Sequence, residues 1–402
     1  MTRVSSSDGS AYFISALGVA QICSWGTLFY GFPLIAAAMQ AELGWSKPTL
    51  YGAATIGMLI AGLSAYPVGA AIDRGHGRIL MSGASVLAAG LYVLWSQVES
   101  IVGFYLVLAV IGAMQAATLY DPAFAVIARR FGPARARKGI TTLTLWGGFA
   151  STVFIPIIQF TIDAAGWRTA LVVMAGFNLI ICAGIYGFII DPKRDAVDNA
   201  DNPAKTEPGK GAVRSAMRVP AYWGLMVAWV SYAFAFSTLT YHFFPLLIER
   251  GLSSAGAVAV LSVIGPAQVA GRVVVLAFAG NAPIRTIGSA TMIVFPLAVI
   301  CFAFAPADVF VLGVIATVFG AANGIVTIVR GAAFPEMVSA TNYGAISGSL
   351  VGPTNIVTAL VPLGAAVLWQ ATGSYHTVMI AMFFGSLCLC AGFWFAAAKA
   401  RR

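Results

Sequence analysis

The sequence predicts an all-α integral membrane protein of twelve transmembrane helices in two pseudo-symmetric six-helix bundles. Three observations carry that prediction. Hydrophobic residues make up 59% of the 402 residues and charged residues 9%, where a soluble domain carries roughly 25% charged residues. Apolar stretches recur at the length of about 20 helical residues that crosses the hydrocarbon core. One long hydrophilic stretch, Asp191 to Arg218, is rich in Pro, Asp, Asn, Lys and Gly. It separates residues 1–190 from residues 219–402 and reads as a cytoplasmic linker between two bundles.

In chain order, the first half holds apolar segments near 11–39, 48–72, 79–97, 101–128, 139–162 and 168–190. The second half holds segments near 221–248, 255–279, 286–305, 308–329, 344–368 and 376–398. The first segment is too long for a signal peptide and lacks a small-residue cleavage site at its end. With both termini placed in the cytoplasm, nineteen of the 23 lysines and arginines fall on the inner side. Lys47, Arg168 and Arg250 fall outside, and Arg272 stays within a helix. This is the positive-inside bias, and it accounts for the net charge of +9 without nucleic acid. The expected location is therefore the cell inner membrane, multi-pass, with both termini cytoplasmic.

Some function classes are excluded by what the chain carries. Cys23, Cys182, Cys301, Cys388 and Cys390 all fall in apolar segments and read as buried thiols, not a disulfide framework or metal clamp. The three histidines, His76, His242 and His376, are scattered along the chain. No nucleotide-binding P-loop occurs, so ATP is not the expected energy source. Neither an enzyme nor a bound metal or cofactor is expected.

The halves repeat each other, which points to a transporter. Phe29-Tyr30-Gly31-Phe32-Pro33-Leu34 in helix 1 reads against Tyr241-His242-Phe243-Phe244-Pro245-Leu246 in helix 7, pairing Tyr30 with His242. Gly139-Ile140 followed by Trp146-Gly147-Gly148 in helix 5 reads against Gly344-Ala345 followed by Val351-Gly352-Pro353 in helix 11.

The loop after helix 2 reads Gly69-Ala70-Ala71-Ile72-Asp73-Arg74-Gly75-His76-Gly77-Arg78. A Gly-rich turn lets two helices approach, and Asp73 can accept hydrogen bonds from basic groups or a helix N-terminus. Asp73, Arg74 and Arg78, with Asp121 of helix 4, are the candidate latch of an inner gate; the plainer reading is a basic turn that fixes topology. The loop resembles the G-x-x-x-D-R-x-G-x-R signature of the major facilitator superfamily, and length, six-plus-six topology and central loop agree with it. His76 stands where a glycine is usual, but Gly75 and Gly77 flank it, so the turn is expected to be kept. The second-half counterpart, Gly280 to Arg285, lacks the acidic residue.

Within that superfamily the chain resembles the monocarboxylate and oxalate/formate porters. The resemblance rests on Trp25-Gly26, on Pro122, Arg129-Arg130-Phe131 and Lys138-Gly139, and on Gly265 to Arg272 in helix 8. In such carriers the helix-8 arginine binds the substrate carboxylate, which here implies Arg272. An acidic residue one turn earlier serves proton coupling in some relatives; this chain has Gln268.

Physical chemistry singles out Arg272 as well. A charge inside a span costs on the order of 3 kcal/mol and faces a cavity or a partner, and a guanidinium fork matches a carboxylate. Asp121 is its alternative partner and also a candidate proton carrier. The further candidates for substrate contact are Tyr30, His242, Tyr120, Trp146 and Asn355, with Tyr232 and Asn323 as weaker ones. The expected function is a secondary carrier working by alternating access. It moves a small organic anion, such as a monocarboxylate, with protons, as a monomer in the lipid bilayer. The alternative is an exporter of amphipathic or toxic compounds by proton antiport, with Arg272 paired to Asp121.

Overall fold

The structure, a computed structural model, describes residues 6–192, 212–278, 282–338 and 343–400. At 6–10, 66, 73, 128, 132–138, 141, 212–213, 276, 335, 343–348 and 351 it describes the backbone alone. Among the described residues there is helix and turn and no strand. The chain divides into two compact units, Met1–Ala200 and Asp201–Arg402.

Among the described residues, eleven helical segments are long and apolar enough to cross a membrane. In the first unit these are α1 (Ala11–Leu43), α2 (Lys47–Ala71), α3 (Arg74–Ser96), α4 (Ile101–Phe131) and the 48-residue run Thr142–Ile189. That run is two spans, because Gly166 sits at φ 80°, ψ 166° and breaks it into α5 (142–165) and α6 (167–189). The second unit holds α7 (Pro220–Glu249), α8 (Ser254–Val275), α9 (Ile284–Phe304), α10 (Val309–Phe334), α11 (Gly352–Thr372) and α12 (Tyr375–Lys399). The expected segments are all present, with ends shifted by a few residues. Of the linker expected at 191–218, residues 193–211 lie outside the described residues, and Ala212–Ala216 form a short helix.

Between α4 and α5 helical geometry continues from Tyr120 to Gly147. A straight helix of that length would part its ends by about 40 Å, yet the Tyr120 hydroxyl touches the place where a Gly147 Cβ would sit. The Gly139 Cβ position likewise lies 2.9 Å from Ile127. The chain therefore reverses between Phe131 and Gly139, where the sequence places the loop.

Close helix crossings depend on glycine. A Cβ on Gly112 of α4 would run into the Gly57 carbonyl of α2. Gly320 of α10 faces the Ile264 carbonyl of α8 at 2.9 Å in the same way. Gly224 of α7 and Gly392 of α12 each lie within 2.8 Å of the other's carbonyl oxygen, measured from the Cβ position. Small residues of this kind let membrane helices pack backbone to backbone.

The two units repeat each other in a register the sequence comparison missed. Glu42-x-Gly44-x-Ser46 after α1 and Glu249-x-Gly251-x-Ser253 after α7 are 207 residues apart. Gly44 and Gly251 both adopt positive φ, 69° and 93°. Ser46 caps α2 by accepting from Thr49 N, and Ser253 caps α8 by accepting from Gly256 N. In this register Tyr30 corresponds to Ser237, not His242. The proline match misled because Pro33 precedes Glu42 by nine residues and Pro245 precedes Glu249 by four.

The two glutamates close equivalent turns. Glu42 accepts from Trp167 Nε1 at 2.8 Å and pairs with Arg168. Glu249 accepts from Trp369 Nε1 at 2.5 Å and from the Tyr375 amide at 2.7 Å. Each acid thus ties the end of its unit's first helix to the turn between its last two.

Candidate functional site

In the first unit the site forms around a break in α4. Pro122 has no amide hydrogen, so the carbonyl of Thr118, four residues earlier, has no helical partner. The backbone turns to an extended conformation at Leu119, with φ −77° and ψ −154°. In hydrocarbon an unpaired carbonyl costs several kcal/mol, and side chains from two other helices satisfy this one. Gln21 Nε2 of α1 donates to Thr118 O at 2.8 Å, and Tyr186 Oη of α6 donates to it at 3.2 Å. Gln21 Nε2 also reaches Tyr186 Oη at 3.0 Å, and Ser24 Oγ lies 3.0 Å from that oxygen. Gln21, Ser24 and Tyr186 are fully buried.

Beyond the break, Tyr120 opens the second half of α4. Its ring packs on Trp25 with centroids 4.8 Å apart and stacks on Phe124 at 5.2 Å. Trp25 also contacts Phe29 at 5.1 Å and Tyr30 at 6.3 Å. Trp146 of α5 covers Gly18 of α1, one helical stretch below Trp25. Tyr30, Tyr120 and Trp146 are thereby gathered along the aromatic flank of α1. Asp121, next to Tyr120, is exposed.

In the second unit the site lies where α8 meets α10. Gly271 packs against the Ala321 carbonyl and Gly324 against the Gln268 carbonyl, so the two backbones touch. Arg272 Nε donates to Gly324 O at 3.3 Å, which fixes the plane of a half-buried guanidinium. The preceding residue, Asn323, is buried and accepts a hydrogen bond from Tyr232 Oη of α7. Tyr232 stacks on Phe236 with centroids 5.8 Å apart. The polar contacts here are therefore Arg272 with the Gly324 carbonyl and Tyr232 with Asn323.

A family model of the Major Facilitator Superfamily matches residues 17–315. The chain belongs to the Major Facilitator Superfamily. Monocarboxylate transporter 13 of Bos taurus is 25% identical over 334 residues, which is 82% of this chain and 74% of that protein. Monocarboxylate transporter 12 of Xenopus laevis is 30% identical over 125 residues, 31% of this chain and 26% of that protein. Among solved structures, the nucleoside transporter NupG has a TM-score of 0.74 at 14% identity, covering 98% of this chain and all of that one. A bacterial homologue of the human lysosomal transporter Spinster, inward-facing and unoccupied, gives 0.71 at 14% identity, covering 100% and 98%. These likenesses support the major facilitator fold, and the protein is a multi-pass membrane transporter and not an enzyme.

In this superfamily member the residues expected from sequence fall in different places. Arg272 binds the Gly324 carbonyl, next in the chain to Asn323, which with its partner Tyr232 sequence reading ranked low. His242 is 1% exposed and engaged on both ring nitrogens, with Tyr375 Oη at 2.9 Å and Pro362 O at 2.9 Å. A carbonyl can only accept, so Nε2 carries a proton and donates to Pro362 O, and in the neutral ring Nδ1 accepts from Tyr375. His242 lies ten residues, about 15 Å, along α7 from Tyr232. Asn355 is exposed on α11.

Of the latch residues, the Asp73 side chain lies outside the described residues, and Arg74 and Arg78 are exposed. Gly75 has φ 91°, a left-handed conformation that suits glycine, so the turn survives His76. Arg129 Nη2 stands 3.5 Å from the Gly75 Cβ position, and its neighbour Arg130 donates to Ile189 O at 3.2 Å. The basic group beside the turn is thus Arg129, while Asp121 lies about 12 Å earlier along α4.

Gln21, Ser24 and Tyr186 were missed altogether. A proline four residues after Thr118 announces a free carbonyl, but nothing in the sequence names the side chains that fill it.

Proposed function

We propose that this chain is a secondary carrier that moves a small organic anion, such as a monocarboxylate, together with protons. The observation that carries the reading is Arg272. It is the one charged residue in α8, and its guanidinium is held edge-on by the Gly324 carbonyl. A guanidinium keeps its charge at every relevant pH and matches a carboxylate in two parallel hydrogen bonds. Relatives named monocarboxylate transporters support the substrate class. In this reading Asn323, held by Tyr232, adjoins the α10 carbonyl that aims Arg272, and Tyr30, Tyr120 and Trp146 are the aromatic surface of the first unit.

Asp121 is the proton site of this proposal. A carboxyl exposed within an apolar span faces water-filled space and not hydrocarbon. The two bundles 1–190 and 219–402, joined by the 191–218 linker, alternate access in the inner membrane with both termini cytoplasmic, and the carrier works as a monomer. Asp73, Arg74, Arg78 and Arg129 form the inner latch.

Uptake of labelled monocarboxylates into proteoliposomes, with and without an inward proton gradient, tests this. Gradient-stimulated uptake is expected, abolished in Arg272→Ala and partly kept in Arg272→Lys, which retains charge but loses the fork. No uptake of any acid by folded protein overturns the anion reading. Uptake indifferent to the gradient overturns proton coupling alone.

A further inference from the structure

The first unit contains a pair of thiols that the transport reading does not use. Cys23 of α1 and Cys182 of α6 are 6% and 0% exposed. Cys182 lies across one turn of α1. Its Sγ accepts from Ser24 Oγ at 3.4 Å, and its thiol points at the Ala20 carbonyl, 3.7 Å away. The helices carry π-helical turns at this contact. Gly26–Tyr30 begins three residues after Cys23, and Phe177–Cys182 ends on Cys182 itself. Such turns are concentrated at functional positions in helices. The other cysteines are placed differently: Cys301 and Cys388 are exposed, and Cys390 donates to Met292 O at 3.0 Å.

We propose that Cys23 and Cys182 are an oxidisable pair that closes to a disulfide under peroxide and stiffens the α1–α6 contact holding the α4 break. The Cys182 sulfur already rests against the Ala20–Ser24 turn of α1 that carries Cys23, so the two thiols are neighbours across the α1–α6 contact. Peroxide is small and uncharged and reaches Cys23, the more exposed of the two. The Cys23 sulfur takes one oxygen from peroxide, the O–O bond breaks, and water leaves a sulfenic acid. The Cys182 sulfur then attacks the Cys23 sulfur, the S–O bond breaks, and a second water departs. Two thiols have lost two electrons and two protons, and one peroxide has become two waters. The Ser24 hydroxyl, donating to Cys182 Sγ, stabilises the negative charge that this sulfur carries as it attacks.

The consequence reaches α4 through three side chains. Gln21 and Ser24 flank Cys23 on α1, and Tyr186 lies one turn beyond Cys182 on α6. Gln21 and Tyr186 are the groups that hold the Thr118 carbonyl. A covalent bond between the sulfurs removes the freedom of α1 and α6 to part, and with it the freedom of the break to open.

The test needs no substrate. In full-length protein carrying Cys301→Ser and Cys388→Ser, three cysteines remain, Cys23, Cys182 and Cys390. Hydrogen peroxide is expected to lower the thiols alkylated after denaturation from three to one, with a linked Cys23–Cys182 peptide in a non-reducing digest. A thiol reductant restores all three. Amide hydrogen exchange at 118–123 is expected to slow severalfold in the oxidised form, and to be unchanged by peroxide when Cys23→Ser is added. An unchanged thiol count, or a Cys23 sulfinic acid with no linked peptide, overturns the pair. A linked peptide with unchanged exchange at 118–123 overturns its coupling to the break.

Discussion

Pro122 withdraws one amide from α4, and Gln21 and Tyr186 supply the missing donors. The same solution appears twice in the second unit. Pro362 leaves Thr358 O unpaired within α11, and Ser237 Oγ donates to it at 2.9 Å. Pro296 leaves Met292 O unpaired within α9, and the Cys390 thiol donates to it at 3.0 Å. The buried thiol that sequence reading assigned to packing therefore also closes a backbone gap. Removing such a donor leaves a buried acceptor unsatisfied, at a cost of about 1–3 kcal/mol. Ser237→Ala is expected to lose that much in denaturation of the protein in detergent, and Gln21→Ala less, because Tyr186 still donates to Thr118 O. Gln21→Glu is expected to lose more, because a carboxylate cannot donate and repels the Thr118 carbonyl it faces. Equal stability of Gln21→Glu and wild type would show that Gln21 is not bound this way.

At the scale of the helix, crossings are set by the absence of a side chain. A Cβ at Gly112 would overlap the Gly57 carbonyl, so α2 and α4 must separate in Gly112→Ala. Overpacking of this kind costs about 1–3 kcal/mol. Gly90 of α3 has open space around it, and Gly90→Ala is expected to stabilise its helix by up to about 1 kcal/mol. Thermal unfolding of the two variants, measured side by side, is expected to shift in opposite directions. Pro122→Ala probes the α4 break itself. With an amide restored at 122 the helix can close on Thr118 O, releasing Gln21 and Tyr186. The protein is expected to stay folded while hydrogen exchange at 118–123 slows; exchange that stays as fast as in wild type would mean another feature opens the helix. Sequence made these helices visible but not their crossings. Hydropathy reports only that a segment is apolar, whereas Gly112 and Gly90 look alike until the facing helix is known. The π-helical turn at Gly26–Tyr30 is equally silent in the sequence, and it lies where the proline match between α1 and α7 lost its register.

Across the whole molecule, the segments near 11–39 through 376–398 were legible because each span must satisfy its own backbone in lipid. Arg272 was legible because a charge there is costly. The Gly324 carbonyl that binds it was not, since it is backbone, and the nearby Asn323–Tyr232 pair carries no unusual signal. His242 shows the reverse error: a titratable group on an apolar helix drew notice, yet Tyr375 and Pro362 occupy both its nitrogens. The units Met1–Ala200 and Asp201–Arg402 are compact separately. Proteolytic cleavage within 193–211 is accordingly expected to leave the helical circular dichroism of the protein unchanged, and a large loss would mean that one unit depends on an unbroken chain. The 207-residue register also turns the molecule into its own control. The Glu42 and Glu249 turns share a backbone, yet Glu42 meets a cation in Arg168 and Glu249 meets the amide of Tyr375. Replacing each glutamate by glutamine in turn asks one chemical question of one scaffold in two surroundings. The difference between the two answers isolates what formal charge contributes there, apart from hydrogen bonding, without reference to any second protein.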